Sequence, residues 1–190
     1  MARRGLDAAA VVAAGAAQAD AEGLDRVTLA GLASELGIRT PSLYSHVNGL
    51  DDLRRRIGTQ GARELSQKLG EAAAGRARHE ALNAVAHAYR EYATAHPGRY
   101  AAAQRRPDPD DAGAVAAATA VVDVVRAVLR GYGLEGDAAI HAIRGVRAAL
   151  HGFVALEAGG GFGIPLSVDE SFAQLVATLD RGLTNATEPS

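Results

Sequence analysis

The sequence predicts an all-α protein, with a small N-terminal three-helix domain joined to a larger helical bundle. Three observations carry this. Apolar residues recur at helical spacing along nearly the whole chain, and the strict alternation that marks a strand is absent. Glycine and proline punctuate these stretches, at Gly23, Gly37, Gly75, Pro97, Pro107, Gly133 and Gly159 to Gly161. With 190 residues, 48% of them hydrophobic, the chain is long enough for one or two small domains with a real core.

The elements follow in order. The first helix is expected to turn a stripe of Leu6, Ala10, Ala13, Ala14 and Ala17 inward and to stop at Gly23. Its Met1-Ala2-Arg3-Arg4 start and apolar run superficially match a secretory signal peptide. Asp7 inside the would-be apolar core argues against that, and cleavage would discard the helix that must pack beneath the next pair. The second helix runs from about Thr28 to Leu36, with Leu29, Leu32, Ala33 and Leu36 on one face. Thr28 is placed to cap it and Gly37 to end it. Thr40 is expected to cap the third helix, with Pro41 in its first turn and Leu43 and Val47 as its anchors. Asn48-Gly49 reads as a turn.

A long helix from Asp51 into Ala72 to Ala74 comes next, its two aspartates at the positive end of the helix dipole. Further helices are expected from about Arg76 to Ala95, Arg99 to Arg105, Asp110 to Tyr132, Gly136 or Asp137 to Ala158, and Ser167 or Asp169 to Leu183. Arg106-Pro107-Asp108-Pro109 is the clearest loop, and Asn185 to Ser190 form a polar tail. The expected domains are residues 1–47 and 48–190. No run is expected to approach the roughly 20 consecutive apolar residues that a membrane span needs.

The stretch from Val27 to Leu53 holds the functional signal. Two short helices meet at a sharp turn, and the second turns Ser42, Tyr44, Ser45 and His46 away from its anchors. Hydroxyls, a phenol and an imidazole are groups that contact phosphates and base edges. This is a helix-turn-helix, whose second helix enters the major groove of DNA.

At Thr28, Leu32-Ala33, Leu36-Gly37, Pro41-Ser42-Leu43-Tyr44, His46-Val47 and Leu53 the chain resembles the TetR (tetracycline-repressor) family of bacterial transcription regulators. The resemblance covers roughly the first third of the chain. It implies DNA contacts at Thr40, Pro41, Ser42, Tyr44 and His46, with Thr28 a further candidate, and action as a homodimer on a palindromic operator in the cytoplasm, repression, and an unknown small-molecule effector. Two positions depart from the family pattern. Leu50 stands where a phosphate-binding lysine is usual, and Ala30 where some members carry a base-reading arginine. Phosphate anchoring is therefore assigned to Arg54, Arg55 or Arg56 and base reading to Arg39. The alternative reading is a helical small-molecule-binding or interaction module whose DNA-binding domain has degenerated.

Composition narrows the classes. Net charge is −2, so bulk electrostatics does not advertise nucleic acid, but arginines gather in the first third, from Arg3 and Arg4 to Arg54 to Arg56. There is no cysteine, which removes disulfides, thiolate catalysis and the commonest zinc sites. His79 and His87 lack metal-ligand spacing, and no P-loop, nucleophile elbow or dinucleotide fingerprint is present. The glycines from Gly159 to Gly163 follow a helix rather than a strand, which disfavours a phosphate cradle. No enzyme, metal or cofactor is expected.

The regulatory half offers two candidate surfaces. On the last helix Val168, Phe172, Leu175, Val176, Leu179 and Leu183 form a broad apolar stripe, and Phe172, Leu175, Val176 and Leu179 are expected to make a dimer interface. On the helix before it, Arg147 falls inside an apolar arc of Ile140, Ile143, Val146, Leu150, Phe153 and Val154, with His151 and Arg144 at the edge. A charge embedded there needs a partner. A salt bridge to Glu157 or another acid, a dimer contact, and an effector anchor all remain open. Leu150-His151-Gly152-Phe153 resembles the Trp-His-Gly stretch of one TetR C-terminal subtype. Tyr89, Tyr92, His96 and Tyr100, with Arg147 and His151, are the candidate lining of an effector pocket.

Overall fold

The structure, a computed structural model, describes residues 7–186. Arg3, Arg4 and Leu6, named above, lie outside them. The described residues form nine helices: α1 (Ala8–Glu22), α2 (Leu29–Glu35), α3 (Thr40–Leu43), α4 (Leu50–Ala73), α5 (Arg78–Ala95), α6 (Pro97–Ala103), α7 (Ala112–Arg130), α8 (Gly136–Ala158) and α9 (Val168–Asn185). A short 3-10 turn, Leu24–Arg26, joins α1 to α2. No strand occurs among the described residues.

The helices group into two compact units. One comprises the described residues up to Glu64 together with Ala95–Ala118; the other comprises Leu65–Thr94 and the described residues from Thr119 onward. This division does not fall at the expected 47/48 boundary. Packing explains the difference: Leu53 and Ile57 of α4 and Ala102 of α6 are buried in the same core as Leu32, Leu43 and Val47 of the helix-turn-helix.

In the first unit α1 faces inward through Val11, Val12, Gly15, Ala16 and Ala19, not through the expected alanine stripe. Ala10, Ala13 and Ala17 are exposed. Alanines lie on every side of this helix, so the larger apolar area of two valines decides which side is buried. Asp7 caps it, its Oδ1 accepting the Ala10 N–H at 2.7 Å. Helix α6 packs backbone-close on two neighbours. A Cβ built on Gly98 would stand 2.1 Å from the Ala19 carbonyl carbon in α1. One on Gly58 or Gly61 of α4 would stand 2.7 or 2.6 Å from the carbonyl oxygens of Ala102 or Arg99. Ions tie the same helices. Arg99 donates its backbone N–H to Asp20 Oδ1 at 2.9 Å, and its guanidinium reaches Asp20 at 3.0 Å and Glu64 at 3.0 Å.

The second unit closes on large side chains. Phe172 of α9 is fully buried, with the Phe153 ring of α8 at 5.0 Å and the His87 ring of α5 at 5.2 Å. Arg90 of α5 lies over Phe172 at 4.9 Å and Phe153 at 5.7 Å. It pairs with Glu157 and, at 2.8 Å, with Asp169, which hold its charged form strongly. Burial and a hydrogen bond donated to Asp180 push the Tyr132 phenol well above its ordinary value.

Helix α7 corrects one expectation. It is 19 residues long and contains an 18-residue stretch of mean hydropathy 1.8, long and apolar enough by length and composition to cross a membrane. Asp123 and Arg126 pair on it, and Val128 and Leu129 are buried. It starts at Ala112 rather than Asp110 because the Asp111 carboxylate accepts the Ala114 N–H at 2.9 Å, setting the cap there.

Candidate nucleic-acid interface

Local chemistry builds the helix-turn-helix. The Thr28 hydroxyl oxygen accepts the Gly31 N–H at 3.1 Å and so caps α2. That use of the oxygen is structural, whatever further contact the hydroxyl makes. Gly37, at φ +66°, makes the left-handed step that ends α2. The cap position of α3 is Arg39 and carries no side-chain cap; Thr40 is the first helical residue rather than the cap. Pro41 occupies the first turn, where its missing N–H costs nothing.

Helix α3 is shorter than its neighbours, and its end is wound more tightly. Tyr44 and His46 donate their backbone N–H to Pro41 and Leu43, three residues back, at 3.3 and 2.9 Å. Beneath it Leu43 and Val47 are buried. Above, Arg39, Pro41, Ser42, Tyr44 and Ser45 are exposed, with Thr40 and His46 half-buried. Tyr44 is 58% exposed, which is unusual for a phenol with an apolar core one residue away. The residues expected to meet DNA thus share one protruding ridge, apart from Thr28 and Arg54.

Arg54 is placed otherwise. Its Nη2 donates to the Asp25 carbonyl in the turn before α2 at 3.1 Å, so the side chain braces α4 against that turn. The neighbouring arginines are also engaged. Asp52 takes Arg56 at 3.1 Å and Arg55 at 3.5 Å, and accepts the Asn48 N–H at 2.8 Å. Burial works to raise the Asp52 pKa, and the Asn48 N–H and the arginines outweigh it, leaving the carboxyl below its ordinary value. The i, i+4 spacing of Asp52 and Arg56 was the available signal for this clamp.

The effector candidates divide between the units. Tyr100 is buried and His96 half-buried in the first, with His96 Nδ1 3.4 Å from Asp20. Tyr89 and Tyr92 are buried in the second. Arg147 is exposed, a correction to the apolar arc: α8 buries Ala139, Ile143, Val146, Leu150, Phe153 and Val154, and Ile140 is 41% exposed. The buried stripe is rotated away from Ile140, which carries Arg147 out of it. His151 is half-buried. Glu157, considered above as a partner for Arg147, is taken by Arg90. No sequence signal marked that pair, because 67 residues separate its members.

The dimer stripe also divides. Phe172 and Val176 are fully buried in this chain's own core and are unavailable to a second copy, while Leu175 and Leu179 are half-buried. A helix with one broad apolar face spends the centre of it on its own bundle first.

Residues 82–179 match the family model of the tetracyclin repressor-like C-terminal domain. The chain belongs to the TetR family. Over 169 residues it is 41% identical to an HTH-type transcriptional regulator of Mycobacterium tuberculosis, Rv0681, covering 88% of this chain and 77% of that protein. Over 183 residues it is 35% identical to the HTH-type regulator YobS of Bacillus subtilis, covering 95% and 94%. The fold is likewise shared with apo ActR from Streptomyces coelicolor, at a TM-score of 0.74 and 21% identity over 97% of both chains. A TetR variant from Acinetobacter baumannii in complex with minocycline superposes at 0.72 and 20% identity, over 97% and 99%. The protein is a DNA-binding, helix-turn-helix transcription regulator.

Proposed function

We propose that this regulator is a repressor, acting as a homodimer on a palindromic operator and released by a small molecule. The observation that carries the reading is the exposed ridge of α3 over its buried Leu43 and Val47. In this reading residues 1–47 meet DNA and residues 48–190 regulate and dimerise, within the cytoplasm. Half-buried Leu175 and Leu179 support a two-fold partner, as do exposed Ile140 and Leu156 on α8. A palindromic site requires such a partner, with recognition helices about 34–36 Å apart. The minocycline complex of a TetR neighbour supports control by a small molecule.

Genome-wide recovery of DNA bound by the purified protein tests the reading and supplies the site. A Tyr44→Ala, His46→Ala double variant should keep its stability and lose affinity for every sequence, whereas Arg39 or Thr40 variants should change base preference by about 1–3 kcal/mol. Unchanged operator affinity in the double variant would count against this docking. Affinity should also fall steeply with salt as counterions leave the phosphates. Light scattering that finds a monomer at micromolar concentration would remove the dimer.

A further inference from the structure

The first unit contains a cavity of about 390 Å³ that the expected effector residues do not line. Its walls are the first turns of α4, the end of α6, the loop through Pro107 and Pro109, and the start of α7. The volume lies within the range of small-molecule sites. Two features give it a chemical character. Its floor is small and apolar, made by Gly58, Ala62, Ala102, Ala103, Ala114 and Ala118. Its rim carries Arg54, Arg55, Arg105 and Arg106 against Asp51 and Asp108.

The arginines differ in how far they are satisfied. Arg55 leans toward Asp52 at 3.5 Å. Among the described residues, Arg105 and Arg106 have no acidic partner. Arg54 Nε is buried and without a hydrogen-bond partner, although Nη2 of the same guanidinium holds the Asp25 carbonyl. A buried donor left unpaired is costly, so this guanidinium gains by shifting toward an acceptor in the cavity. Asp108 is partly committed, its Oδ1 accepting the Asp110 N–H at 3.1 Å.

We propose that this cavity binds a small organic anion, a carboxylate or phosphate head on a flat apolar body. The head meets the guanidinium groups of Arg54, Arg105 and Arg106, and the body lies on the alanine floor. Binding also bears on DNA, a step that rests on the regulator reading above. Arg54 is the brace between α4 and the turn before α2, so an anion that draws its guanidinium loosens the helix-turn-helix mounting. Ligand and operator then weaken each other by the same factor.

The probes are naphthoate, naphthyl phosphate, their uncharged relative naphthamide, and inorganic phosphate, titrated calorimetrically into the full chain. At least one of the two naphthyl anions should bind saturably, and which one does assigns the head group. Naphthamide should bind about tenfold more weakly or not at all, the worth of a charge-assisted hydrogen bond. Inorganic phosphate should be weak, because it leaves the floor uncovered. An Arg105→Gln, Arg106→Gln variant should lose about tenfold in anion affinity while keeping its fold and its operator affinity without ligand. In the wild type, saturating anion should weaken operator binding by about tenfold.

Equal binding of naphthamide and the anions, or no effect of the double variant, overturns the site. A double variant that instead loses DNA affinity and salt sensitivity, with no change in anion binding, shows a DNA-backbone surface and also overturns it. Anion binding that leaves operator affinity unchanged overturns the coupling alone. A wild type that binds no DNA removes the regulator reading, and the calorimetry still decides the cavity.

Discussion

The two units are closed by opposite means. In the first, helices touch where side chains are missing: Gly98 against Ala19, and Gly58 and Gly61 against the carbonyls of Ala102 and Arg99. In the second, they touch where side chains are largest, with Phe172, Phe153 and the Arg90 guanidinium stacked together. The first arrangement is intolerant of added atoms, since a backbone carbonyl cannot turn aside. The second is intolerant of lost ones, since nothing nearby refills the space. A unit that presents a short recognition ridge gains from backbone-close mounting, because few rotamers intervene between one helix and the next.

The largest test removes atoms from the second unit. Phe172→Ala should cost about 3–5 kcal/mol, the range for truncating a buried phenylalanine. Urea denaturation measures it, and a cost below 1 kcal/mol, less than the low end of that range, would mean that the ring stack contributes little. Next comes an added methyl in the first unit. Gly98→Ala should cost about 3 kcal/mol, the upper part of the overpacking range, because its Cβ would lie 2.2 Å from the Ala19 carbonyl oxygen. A neutral result would show that α6 is free to slide on α1.

The third test is electrostatic. Asp52→Asn keeps an amide oxygen that can accept the Asn48 N–H but removes the charge that pairs with Arg56 and Arg55, and should cost about 1 kcal/mol at neutral pH, between an exposed ion pair and a charge-assisted hydrogen bond. The folded-state pKa is lowered, so this stability is present above the unfolded-chain value near 3.8 and is lost as pH falls through the folded value. The gap between wild type and variant should therefore hold from neutral pH and close only in strong acid. A gap constant down to full acid unfolding would place the effect in packing instead. The smallest test reverses the sign. Gly70→Ala, in α4 but within the second unit, meets only Val124 Cγ2 at 4.0 Å. It should stabilise by about 0.5–1 kcal/mol through helix propensity and the unfolded chain. Destabilisation there would show that the second unit also depends on missing side chains.

How much of this was legible from the sequence depended on distance along the chain. Thr28, Gly37, Pro41 and the Leu43–Val47 pair are local signals, and each took the place its spacing implied. The α1 stripe was misread because alanine is weakly apolar on every side. Arg147 was misplaced because the arc drawn around it included Ile140, and only packing shows that Ile140 is exposed.

The sequence by itself determined the all-helical class, the helix-turn-helix and the family, because capping residues, glycine breaks and i, i+4 faces act within a few residues of one another. Tertiary structure alone decided which face each apolar helix buries, that Phe172 and Val176 belong to this chain's own core, and that Arg90 rather than Arg147 meets Glu157. It also decided that Arg54 braces the turn at Asp25, 29 residues away. The physical reason is that burial and charge pairing depend on which surfaces meet, and helical periodicity specifies a surface without naming its partner.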